Sequence, residues 1–65
     1  MHIVKQSRAW HLQDARGNSL GIYDDIERAL VVAFSRANSH AEHGVGARVF
    51  VHRPGKATEI HTFDQ

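Results

Sequence analysis

Apolar and polar residues alternate in several short stretches of this chain and recur at helical spacing in one longer stretch. Residues 2–5 are β-branched at Ile3 and Val4 and predict a short first strand. Gln6-Ser7-Arg8 is polar and predicts a turn. Ala9–Gln13 alternates, with Trp10 and Leu12 on one face as a core pair. Residues 14–18 carry turn chemistry, because Gly17 and Asn18 accept positive φ at little cost. Ser19–Tyr23 alternates again, with Leu20 and Ile22 on one side. The first third therefore predicts a three-strand meander.

A helix follows. Asp24 is the expected N-cap, with Glu27 three positions later as in an acidic capping box, and Asp25 adds negative charge where the helix dipole favours it. Ile26, Ala29, Leu30, Ala33, Phe34, Ala37 and Ala41 recur at three- and four-residue spacing as one apolar stripe. Gly44 fits a left-handed C-terminal cap with Val45 as the apolar residue after it. Val31 and Val32 fall off the stripe, between Arg28 and Ser35, and are a candidate flank for a dimer contact. Beyond the helix, Ala47–His52 alternates strictly, Arg53-Pro54-Gly55-Lys56 fits a type II turn, and residues 58–62 return as a last strand. The order β-β-(β)-α-β-β predicts an α+β fold, an antiparallel sheet with one helix packed on one face, formed as a single domain over residues 1–65.

One helix shields one face of a sheet, and the period-2 rule assigns side chains to faces. Trp10, Leu12, Leu20, Ile22, Val49, Val51 and Ile60 are expected to meet the helix. Val4 is expected to join them, with Ile3 as the alternative because the first strand is too short to fix its phase. The opposite face then carries His11, Arg48, Phe50, His52, Glu59, His61 and Phe63. A solvated sheet face is usually polar. Two phenylalanines among three histidines and an arginine point instead to a partner surface centred on Phe50, His52, His61 and Phe63, with Arg48 and His11 around them.

Composition sharpens this picture. A chain of 65 residues forms a core worth about 3–5 kcal/mol net, so self-association is a ready way to bury more apolar area. There is no cysteine, hence no disulfide, thiolate metal site or cysteine nucleophile, which suits a reducing cytoplasm. No apolar run approaches the length of a membrane span and no signal-peptide pattern opens the chain, so a cytoplasmic location without a membrane partner is expected. Six of the eight basic residues are arginines, but they are spread along the chain and the net charge is +1. Six histidines are the compositional oddity, and their protonation in mild acid would raise the charge by several units.

Three constellations carry candidate chemistry. His11, His52 and His61 on one face would approach a metal if the register aligned them, but they read more readily as partly exposed sheet or interface histidines, and no metal or cofactor is expected. His40 and His43 sit where a helix end favours imidazolium. Phe50 with Arg48 and His52, and Arg53 and Lys56 nearby, resembles sheet faces that stack single-stranded bases, so nucleic-acid binding through the same face is the alternative to a homodimer or another protein partner. No serine elbow, phosphate loop or HExxH motif is present, so neither catalysis nor a small-molecule substrate is implied.

The residues His2-Ile3-Val4, Trp10-x-Leu12, Tyr23-Asp24 leading into Glu27-Arg28-Ala29 and Ala33, then Val49-x-Val51-His52 with Gly55 in the next turn, occur in a characteristic order. Over residues 2 to 60 the chain resembles a family of small bacterial proteins known as domain of unknown function 2188. It departs from that pattern at Arg53-Pro54 and in extra length around residues 38–45. The resemblance implies a β-β-α-β-β domain and no catalytic residues.

Overall fold

Tight turns early in the chain decide how the sheet begins. In the computed structural model, which describes residues 1–64, β1 (His2–Gln6) folds back on β2 (Ala9–Gln13), with Gln6 opposite Ala9 across a two-residue turn in which Ser7 takes φ 56°. A loop built on Asp14 leads to β3 (Ser19–Tyr23). The Asp14 carboxylate accepts the amides of Arg16 and Asn18, both at 2.9 Å. The Asn18 and Arg16 hydrogen bonds hold its pKa below the ordinary aspartate value.

Helix α1 (Ile26–Glu42) carries the chain across the sheet to β4 (Ala47–His52), and β5 (Glu59–Phe63) completes the order β3-β2-β1-β4-β5. Two hairpins leave β3 running with β1, and the helix reverses the chain once more, so β4 enters beside β1 in the same direction. The sheet is accordingly mixed: β1 and β4 are parallel, with Ile3 opposite Val51, and every other neighbouring pair is antiparallel. The α+β class follows the sequence pattern. The wholly antiparallel sheet does not, because a parallel pair needs a long crossover and α1 supplies one.

The helix starts one residue later than its sequence implies. Asp25, in extended conformation, is the N-cap and accepts the Glu27 amide at 3.0 Å. Glu27 is thus the second helical residue, and the capping box centred on Asp24 does not form. At the other end Gly44 takes φ 81°. Its N–H donates to the Ala41 carbonyl at 3.0 Å and the Val45 N–H donates to His40 at 2.8 Å, which closes a Schellman motif. The His43 Nδ1–H donates to the Ser39 carbonyl at 2.7 Å.

Ala29, Ala33, Ala37 and Ala41 form the buried stripe of α1. Their small side chains let the helix lie close to Ile3, Leu12, Val49 and Val51, all completely buried. Ile26, Leu30 and Phe34 flank the stripe, and Val32 also packs on the core, whereas Val31 is exposed. Trp10 is half-buried at the rim, with the Lys5 ammonium 5.6 Å from its ring centre. Ile3 and not Val4 faces the helix. Among the described residues, no helix is long and apolar enough to cross a membrane.

Candidate interaction surface

Residues paired on neighbouring strands point to the same side of a sheet. The register therefore lays out the uncovered face as rows. One row runs Ile22, His11, Val4, His52. The next runs Gln13, His2, Phe50, Ile60, and Arg48 stands beside Thr62 in the row after it. The open face thus carries four of the seven residues expected there: Phe50, His52, Arg48 and His11.

His61 and Phe63 are not among them. They pair with Val49 and Ala47, and Glu59 pairs with Val51, so all three lie on the helix side. Phe34 explains the preference, since its ring lies 5.0 Å from that of His61 and 5.3 Å from that of Phe63, both tilted. Glu59 accepts from Arg53 Nε at 3.1 Å and lies 3.5 Å from His61 Nε2, a partly exposed cluster of little energetic weight. The same register sends Ile60 outward, 59% exposed. On the far edge, Tyr23 pairs with Trp10 and faces the helix, so Ile22 also points outward, 61% exposed. Gly21 makes this possible, because a side chain there would collide with the Tyr23 ring. Both isoleucines were expected in the core.

His2 had no assigned face, yet it is central to the open one. Its ring lies parallel to Phe50, with centres 4.8 Å apart and 13° between planes. Its Nδ1 lies 3.0 Å from His52 Nε2. The centres of these two imidazoles are 5.3 Å apart and their planes differ by 17°. That separation is the nitrogen–nitrogen distance plus two ring radii, so the rings meet edge to edge in nearly one plane. One nitrogen carries the hydrogen and donates it in line to the other. Thr58 Oγ1 lies 3.3 Å from His52 Nδ1 and extends the chain of polar contacts. Burial pushes the His2 pKa below the ordinary histidine value, helped by the positive charge at Met1 and by His52. The signal for His2 was available in the alternation: once Ile3 is inward, His2 must be outward.

This arrangement is poor for metal chelation. The two imidazoles aim at each other and not at a shared third point, and His61 is on the other side of the sheet, so His11, His52 and His61 do not converge. Among the described residues, no group of three or more histidines, aspartates or glutamates is placed to hold a metal. Of the residues in the open rows, Arg48 is the one arginine, lysine or carboxylate, and the face otherwise joins apolar side chains to imidazoles. No family model matches the chain, and neither a curated protein nor a solved structure matches it.

Proposed function

We propose that this chain is a small binding module that self-associates through its open sheet face, as a homodimer, in the cytoplasm and without enzymatic activity. The observation that carries the reading is the apolar content of that face: Ile22 and Ile60, both well exposed, flank Val4 and Phe50 across all five strands. A sheet of this size covers about 400 Å² in projection at the usual strand spacing and rise. Two such faces in contact bury about 1,000 Å² of accessible surface, the lower end for a specific interface. A weak dimer follows, related by a two-fold axis so that each patch meets its own copy. The resemblance to domain of unknown function 2188 adds no residue to this site.

Sedimentation equilibrium over a wide concentration range tests the reading. The expected result is a mass that rises with concentration in the wild type and stays monomeric in Ile60→Ser and Phe50→Ser. A wild type that remains monomeric at high micromolar concentration, with Phe50→Ser changing nothing, refutes it. Arg48 beside Phe50 favours one second reading, single-stranded nucleic acid on the same face. That reading requires an oligonucleotide mobility shift at low salt that weakens steeply with added salt and is lost in Arg48→Ala.

A further inference from the structure

We infer that self-association through the open face is controlled by protons, with the His2–His52 pair as the sensor; this rests on the homodimer reading above. The pair occupies the middle of the face, where β1 and β4 run side by side. Phe50 covers one side of His2, and Val4 separates His52 from His11 across the row. In its neutral form the pair satisfies itself: a single N–H bridges the two nitrogens at 3.0 Å, and Thr58 lies against the remaining His52 nitrogen. Such a pair enters a dry interface with few polar groups left open.

Protonation changes this in two steps. The first proton makes an imidazolium that still donates to its partner, so the bridge survives but the face gains a charge. The second leaves two donors facing each other and breaks the bridge. Among the described residues, no carboxylate is placed to offset either charge. The Met1 amino group donates to the Arg48 carbonyl at 2.8 Å, and Arg48 itself stands on the same face. From β2 the neighbours are His11 and Gln13, and from β5 they are Ile60 and Thr62. The nearby carboxylates are turned away: Glu59 is on the helix side with Arg53 and His61, Asp64 lies past β5 against Gly46, and Asp14 is folded onto its own loop. Two copies meeting face to face would bring two such pairs together, and charge buried without a partner is strongly disfavoured.

The linkage has a definite sign. The dimer binds fewer protons than two monomers, so acid dissociates it. With one proton taken up per copy, the dissociation constant should rise by about tenfold or more between about pH 8 and about pH 5.5. The test is sedimentation equilibrium at a series of pH values between these, with EDTA throughout and circular dichroism identifying the range in which the fold is intact. Within that range the wild type should weaken steadily as pH falls. His52→Gln should show a much flatter dependence, and His40→Gln, at the helix end, should behave as the wild type. His2→Gln replaces His52→Gln if the latter does not fold, because the two residues share one bridging hydrogen. A dimer whose affinity is the same throughout overturns proton control and leaves self-association standing. So does a wild-type dependence that His52→Gln retains in full. A wild type monomeric at every pH removes the homodimer itself, and the inference with it.

Discussion

The two faces of this sheet arise from the same alternating strands but obey different constraints. The covered face must fit a rod of about 10 Å diameter, and α1 meets it with a line of alanines. The open face is covered by no other element among the described residues and keeps Val4, Ile22, Phe50 and Ile60 at the surface. The contrast weakens from the centre outward. A single helix spans about two strand spacings of about 4.8 Å each, whereas the sheet has five strands. Inside and outside are therefore sharply defined on β1, β2 and β4, where Ile3, Leu12, Val49 and Val51 are fully buried. On β3 and β5 both faces reach solvent, and isoleucine can point away from the core at little cost.

The most forceful way to break the comparison is a cavity beneath the helix. Leu12→Ala should cost about 3 kcal/mol, because Leu12 is fully buried and its site is hemmed in by the helix. That is most of the stability available to a chain of this size. A urea titration should find this variant marginally stable, with its midpoint shifted to very low urea. If it retains the wild-type midpoint, the alanine stripe is not holding the helix down.

Overfilling the same contact is the next test. Ala33→Leu places a branched side chain where Ala33 has no exposed surface, and the backbone of α1 has to move off the strands. The expected loss is about 2 kcal/mol, read as a lower urea midpoint. The matched change on the solvent side, Ser35→Leu, should alter stability by less than about 0.5 kcal/mol.

What was legible in the sequence follows the same gradient from centre to edge. The alternation at Ala47–His52 assigned Val49 and Val51 inward and Phe50 and His52 outward, and β2 was equally readable from Trp10 and Leu12. Local chemistry fixed the turn at Gly44 and the extent of α1 to within a residue or two. The edge strands mislead because Ile22 and Ile60, their most apolar residues, read as core markers in isolation, while register with the neighbouring strand decides the face. Phe63 and His61 were drawn inward by Phe34, a contact between residues too far apart in sequence to be anticipated from periodicity. The parallel pairing of β1 with β4 was likewise invisible locally, and with it the meeting of His2 with His52.

A smaller effect separates the faces by titration. No charged or polar side chain is buried among the described residues of the covered face, and the histidine on that side, His61, stands partly exposed beside Glu59. The open face holds His2, whose proton affinity is lowered on folding. The native state then binds fewer protons than the unfolded chain. Its contribution to stability is present above the ordinary histidine value of 6.5 and is lost as pH falls through the lowered native one. Urea midpoints measured at concentrations where the chain is monomeric should decline over that window, and His2→Gln should decline less. An equal decline in the variant would place the responsible group elsewhere.

The smallest effect is the most discriminating. Ile22→Thr keeps a β-branched side chain on an edge strand and removes an apolar surface that is already 61% exposed. In dilute solution its unfolding free energy from urea titration should lie within about 0.5 kcal/mol of the wild type. Ile3→Thr, the corresponding change at a fully buried position, places a hydroxyl in the core and should cost about 2 kcal/mol. At high concentration the order of importance reverses. Ile22 sits at the end of a row on the face assigned to association, so Ile22→Thr should weaken the dimer even though the monomer is untouched. A loss of monomer stability in Ile22→Thr comparable with that of Ile3→Thr would mean that the isolated chain already covers this face, and no apolar surface would then remain for a second copy to bury.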